Sequence, residues 1–161
     1  MIIYETITFL GGQLTLFKQD DALVFVSLAD DGVADFKSFY PTVDVAAGNV
    51  LEVALFKQYA AGEVIDWRQL KINYLSGTKF QREVWLAMHN MMPHEYLTYA
   101  ELAQRANHPT AIRAVASAIG KNPLTIINAC HRILPKSGGI GQYRYGSHIK
   151  AELLALDRVK I

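Results

Sequence analysis

The sequence predicts a two-part chain. An α/β N-terminal domain with a small antiparallel sheet and a helix (residues 1–75) precedes a mostly helical C-terminal domain (residues 76–161). Three observations predict this division. The first 28 residues alternate runs of β-branched and aromatic residues with short polar turns. From Phe80 onward the apolar residues recur at helical spacing. The charge also divides the chain: residues 1–75 carry a formal −5 and residues 76–161 a formal +6, with all five histidines in the second part. A basic half of this size is compatible with a phosphate-rich partner.

The other classes of protein fall away on composition. The 161 residues are 51% hydrophobic and 19% charged, which opposes disorder. One cysteine forms neither an internal disulfide nor a multi-cysteine metal site. No run of about 18 apolar residues is present, so no transmembrane helix is expected. The first residues lack a basic region and a small-residue cleavage site, so a soluble cytoplasmic protein is expected.

In chain order, Ile2–Leu10, Gln13–Phe17 and Ala22–Leu28 read as a three-stranded meander. Gly11-Gly12 suits a two-residue turn, and the polar Lys18–Asp21 supplies the next. A polar loop with Asp30, Asp31 and Gly32 follows, then Pro41. Asn49 and Glu52 have capping-box spacing before a helix to Ala61, with Leu51, Leu55 and Tyr59 on its inner face. Asp66–Lys79 is the expected connection. Phe80, Val84, Trp85, Met88 and Met91 form an apolar stripe read as core, and Pro93 closes that helix.

Thr98 and Glu101 form a capping box that opens a short helix to Ala106. After the turn Asn107-His108-Pro109, a second helix spans Thr110–Ile119. Two short helices so joined are a helix-turn-helix candidate, although many such pairs only pack a core. The second helix is coated with Ala111, Ala114, Ala116, Ser117 and Ala118, interrupted by Arg113. That surface suits either tight helix packing or close approach to another molecule. Leu124–Ala129 reads as a short strand ending at Cys130-His131-Arg132. Ser147 is expected to cap a last helix, with Ile149, Leu153 and Leu156 on one face.

A lone cysteine is commonly an inert small hydrophobe. Beside a histidine and an arginine it is also a candidate nucleophile, because cationic or basic neighbours favour the thiolate. Adjacent residues on a strand point to opposite faces, so adjacency alone does not place His131 on the Cys130 sulfur; a water could bridge the two if the chain leaves the strand at Ala129. An acid of the last helix, Glu152 or Asp157, would orient the histidine.

At this point an ordered series of motifs is on the page. It comprises Gly77-Thr78-Lys79-Phe80-Gln81 with Val84-Trp85, Thr98-Tyr99 with Leu102-Ala103, Arg113-Ala114-Val115, and Asn122-Pro123. It continues with Cys130-His131-Arg132-Ile133, then Gly141, Tyr143, Arg144 and Gly146, and finally Lys150, Leu153 and Leu154. From Gly77 to Asp157 the series resembles the C-terminal domain of the O6-alkylguanine-DNA alkyltransferases, or methylated-DNA–protein-cysteine methyltransferases. Residues 1–75 resemble the family's N-terminal domain in outline.

The resemblance implies a winged-helix-like helix-turn-helix domain and single-turnover repair of duplex DNA carrying O6-alkylguanine, with O4-alkylthymine as a further substrate. Cys130 would accept the alkyl group, His131 would act as base through a water, and Asp157 would orient His131. Asp157 stands where the family usually carries a longer glutamate, and Ala129 where it carries proline. Arg113 would replace the flipped nucleotide in the stack, with Tyr99, Thr110, Ala111, Ala114 and Ser117 on the DNA surface. Tyr99 would also protonate the leaving group. Asn122 would be the hinge before the cysteine segment. Tyr143, Arg144, Ile133 and Trp85 would line the base pocket. No cofactor and no metal are implied: some relatives hold zinc through N-terminal cysteines and histidines, and residues 1–75 contain neither. A monomer without membrane contact is expected. Two other readings are a lesion sensor or helix-turn-helix binding protein without chemistry, and an unrelated hydrolase using Cys130, His131 and Asp157.

Overall fold

In the computed structural model, residues 1–158 are described. They fall into two compact units. The first comprises residues 1–65, 69–75 and 123–125; the second comprises residues 66–68, 76–122 and the chain from Ile126 onward.

The first unit is built on a four-stranded sheet of order β3-β2-β1-β4. Strands β1 (Ile2–Phe9), β2 (Gly12–Gln19) and β3 (Ala22–Ser27) form the expected antiparallel meander. The fourth strand, β4 (Val45–Ala47), pairs parallel with β1, so the sheet is mixed rather than purely antiparallel. The first hairpin turns on Leu10 (φ 50°) and Gly11 (φ 76°), one residue earlier than expected, because Gly12 pairs with Phe9. Two positive φ angles match the strand twist in such a turn.

The expected loop after β3 is partly helical. Helix α1 (Gly32–Phe39) starts where the Asp31 carboxylate accepts the Ala34 N–H at 3.0 Å. A Cβ on Gly32 would stand 2.1 Å from Thr15 Oγ1, so only glycine allows the helix this close to β2. Phe36 stacks on Phe17 with ring centroids 4.5 Å apart, and Phe25 meets both edge-on, in a core of aromatic pairs.

Helix α2 (Val53–Ala60) buries Tyr59 as expected, but with Phe56 as its partner; Leu55 is only partly buried and Leu51 lies before the helix. Phe56 and Tyr59 are buried, whereas Leu51 is 82% exposed. The Asn49–Glu52 capping box does not form. Glu52 instead pairs with Lys18 at 2.9 Å, and the Glu5 carboxylate accepts the Val50 N–H at 2.7 Å.

The second unit packs helices α3 (Lys79–His89), α4 (Tyr99–Arg105), α5 (Ile112–Gly120) and α6 (Ser147–Leu156) around a two-stranded parallel pair, β5 (Leu97–Thr98) and β6 (Ile133–Leu134). Both α3 and α4 open on complete capping boxes, Thr78 with Gln81 and Thr98 with Glu101. Helix α3 stops at His89, before Pro93 acts on it. Trp85 buries its ring over Gly77, where a Cβ would approach within 2.5 Å. Its indole N–H donates to the Ala118 carbonyl of α5 at 2.8 Å.

Three expectations for the later part of the chain are corrected in whole or in part. Leu124–Ala129 is not a strand: Ile126 has φ 74° and breaks the run, leaving an isolated bridge from Leu124 to Val26. Gly146 (φ 107°), not Ser147, is the cap of α6, and no side chain caps it. On α6, Leu153 faces inward as expected, joined by Lys150 and Leu154, while Ile149 and Leu156 are only partly buried.

Candidate active site

Cys130 opens a single 3-10 turn, Cys130–Arg132, that precedes β6. The turn before it centres on Ala129, with φ −72° and ψ 57°. The Cys130 N–H donates to the Asn128 carbonyl at 2.6 Å, which closes an inverse γ-turn. This tight reversal, rather than the expected strand, aims the thiol. Its sulfur, the donor, lies 3.7 Å from the Tyr143 hydroxyl oxygen, and the residue is 8% exposed.

His131 and Asp157 come together across 26 residues. The His131 Nε2 stands 2.5 Å from Asp157 Oδ2 within a fully buried environment. The same oxygen accepts from Arg132 Nε at 2.7 Å, and Arg132 NH1 donates to the Met92 carbonyl at 2.8 Å. Burial by itself would raise the Asp157 carboxyl, but the hydrogen bond and charge of His131, with the Arg132 guanidinium, hold it at about 2. Asp157 is therefore ionised and only accepts, so Nε2 carries the ring hydrogen. Burial pushes the His131 imidazole below its ordinary range despite the carboxylate, with Arg132 and Lys150 acting in the same direction. A neutral ring with hydrogen on Nε2 leaves Nδ1 as a base. That Nδ1 is buried and meets no protein hydrogen-bond partner among the described residues.

The remaining expected residues distribute around this centre. Tyr99 is half-buried at the start of α4; burial raises its phenol, and the charge of Cys130 adds to this, so it stays a proton donor. Asn122 is buried and donates Nδ2 to the Asn128 carbonyl at 3.1 Å. Arg144 NH1 donates to the Asn122 carbonyl at 3.1 Å, while its guanidinium lies 4.6 Å over the Tyr145 ring. Ile133 is buried in β6.

Thr110, Arg113, Ala114 and Ser117 are exposed, Ala111 is partly so, and Val115 and Ala118 form the inner side of α5. Trp85 lies in the contact between α3 and α5, with the indole bond described above. Glu152, the other acid weighed as an orienter, is exposed.

Four side chains have contacts that the sequence reading did not foresee. Lys150 is buried and donates its Nζ to the Ile133 carbonyl at 2.8 Å and the Gln142 carbonyl at 3.2 Å, tying β6 to the loop that carries Tyr143. His94 (φ 65°) donates Nδ1–H to the Asp157 carbonyl at 2.5 Å. Arg132 shares the Asp157 carboxylate, and Asn128 anchors the cysteine turn. Their partners are mostly backbone carbonyls brought in by the fold, which leave no spacing signal. No helix among the described residues is long and apolar enough to cross a membrane, and these residues hold no cluster of metal-ligating side chains.

This geometry agrees with three comparisons. The family model of the 6-O-methylguanine DNA methyltransferase DNA-binding domain matches residues 79–159. The methylated-DNA–protein-cysteine methyltransferase of Haemophilus influenzae is 30% identical over 92% of this chain and 82% of its own length. The protein of the same name from Mycolicibacterium paratuberculosis is 33% identical over 98% of this chain and 93% of its own. The solved structure of Mycobacterium tuberculosis OGT in complex with DNA superposes with a TM-score of 0.82 at 29% identity, covering 97% of this chain and 92% of that one. With a matching domain, relatives aligned over nearly their whole length and a shared fold, the chain belongs to the methylated-DNA–protein-cysteine methyltransferase family.

Proposed function

We propose that this chain repairs DNA by direct reversal, taking the alkyl group of an O6-alkylguanine onto Cys130 in one irreversible turnover. The observation that carries this reading is the buried series Cys130, His131 and Asp157, with the unpartnered Nδ1 of His131 available to a bridging water. That water would take the Cys130 proton and pass it to Nδ1. The thiolate would then attack the alkyl carbon, an S–C bond would form as the C–O6 bond breaks, and Tyr99 would supply the proton that neutralises the departing guanine. The product is a thioether, and no group in the site removes it. No cofactor is required, since the lesion brings the transferred group. O4-alkylthymine is a second substrate of the same kind.

The finer reading assigns each half a task. The division at residues 75 and 76 separates an acidic N-terminal domain from a basic DNA-binding domain. Helices α4 and α5 act as a helix-turn-helix, with α5 entering the minor groove. The exposed Thr110, Ala114 and Ser117, with Ala111 beside them, offer little bulk there. Arg113 fills the stack left by the flipped base, whose extrusion costs a few kcal/mol. Tyr143, Arg144, Ile133 and Trp85 frame the pocket that receives it. The chain works as a monomer on duplex DNA in the cytoplasm.

Intact-mass spectrometry tests the core of the reading. After mixing with an oligonucleotide duplex containing O6-methylguanine, the protein gains one methyl, on the peptide containing Cys130, and gains no second one from excess substrate. A folded protein left unmodified by long incubation overturns it.

A further inference from the structure

We infer that Asn128 is a positioning residue for the Cys130 nucleophile, fastening a turn that alanine at position 129 cannot hold unaided. The inference rests on the alkyl-transfer reading above. Ala129 sits at φ −72°, within the narrow range that a proline ring would impose. Alanine has no such restriction, and its own N–H makes only a long contact of 3.5 Å to the Met88 carbonyl. The conformation must therefore be imposed by neighbours.

Asn128 supplies that restraint from both its backbone and its side chain. Its carbonyl accepts the Cys130 N–H at 2.6 Å and Asn122 Nδ2 at 3.1 Å. Its side-chain Nδ2 returns a bond to Asn122 Oδ1 at 3.0 Å. Two carboxamides thus clasp each other reciprocally, and both residues are buried. Water does not compete readily for these groups at such depth, and an unmatched amide there is costly, so the pair strongly favours one arrangement. The clasp fixes the carbonyl on which the cysteine turn closes. Through that carbonyl it sets the direction of the thiol relative to His131 Nδ1. A leucine of similar shape at 128 would keep the backbone carbonyl but remove the return bond and leave Asn122 Oδ1 without this donor.

The test is the single-turnover rate of benzyl transfer from free O6-benzylguanine, which needs no DNA, measured across pH with circular dichroism to verify folding. Asn128→Leu is expected to slow transfer about tenfold near neutral pH. The shape of the pH profile should change as well, since the proton is then passed on without the aligned base. In an Ala129→Pro background the same substitution is expected to cost no more than about twofold, because the ring holds φ in place of the clasp. Asn128→Ser, which is too short to reach Asn122 Oδ1, provides the same comparison if the leucine variant does not fold. An unchanged profile with near-native rates in a folded Asn128 variant overturns the inference, as does an equal loss in the Ala129→Pro background. A wild-type chain that never takes the benzyl group overturns the alkyl-transfer reading itself, and the inference with it.

Discussion

The Asp157 carboxylate reaches within 2.5 Å of His131 Nε2, although aspartate is one methylene shorter than the glutamate usual at this place in the family. The backbone brings it there. Asp157 is the C-cap of α6, its N–H donates to the Leu153 carbonyl, and its own carbonyl accepts from His94. The carboxylate oxygen that meets His131, Oδ2, also accepts from Arg132 Nε. One carboxylate thereby sets the histidine tautomer and neutralises a buried guanidinium.

Replacing Asp157 with asparagine therefore has two expected effects. Alkyl transfer falls by about a hundredfold, as His131 loses the charge that supports its protonation. The pH dependence of stability changes as well. The carboxyl is held at about 2 in the folded protein against 3.8 ordinarily. Its contribution, about 2 kcal/mol, is present above the ordinary value and is lost as pH falls from about 4 to about 2. Urea melts across that window should show the loss in the wild type and a flatter profile in Asp157→Asn. A variant as acid-sensitive as the wild type would assign the loss to other groups.

Arg113 supports a prediction that separates DNA work from chemistry. Arg113→Ala is expected to slow repair of an O6-methylguanine duplex by about tenfold or more, because extrusion of the base loses its replacement in the stack. Reaction with free O6-benzylguanine demands no extrusion and should change by less than about twofold. Parallel single-turnover measurements check this, and equal losses on both substrates would remove the role given to Arg113.

Lys150 ties β6 to the loop before Tyr143 through backbone carbonyls alone. Lys150→Met keeps the apolar stem and deletes both bonds. It is expected to cost about 1–3 kcal/mol, since two carbonyls lose their buried donor. The loop spanning residues 137–145 should become the first site of protease nicking. Thermal melts and limited proteolysis with mass mapping read both effects. An undiminished melting temperature would mean the carbonyls find other donors.

The sequence made some of these features legible and hid others for physical reasons. The Thr98–Glu101 capping box was readable because a cap uses side chains at a fixed local spacing, and the structure contains both of its bonds. The Cys130–His131–Asp157 series was readable through the ordered motifs, even though its last pair spans 26 residues. Helix α1 was hidden because Asp30, Asp31 and Gly32 resemble a loop, while Asp31 is its N-cap. The turn at Cys130 was read as a strand because Leu124–Ala129 is apolar. Ile126 at φ 74° ends that pattern, and no propensity favours an isoleucine there. The Asn128 clasp and the Lys150 tie depend on groups that meet only after the chain has folded.

The burial of Cys130 also bears on which encounters consume the protein. A thiol usable once is vulnerable to every stray electrophile or oxidant that meets it before a lesion does. With 8% of the residue accessible, another protein's cysteine cannot bring its backbone to disulfide distance without opening the site. The enclosure around the sulfur thus favours a ligand that can enter it over a second protein's thiol.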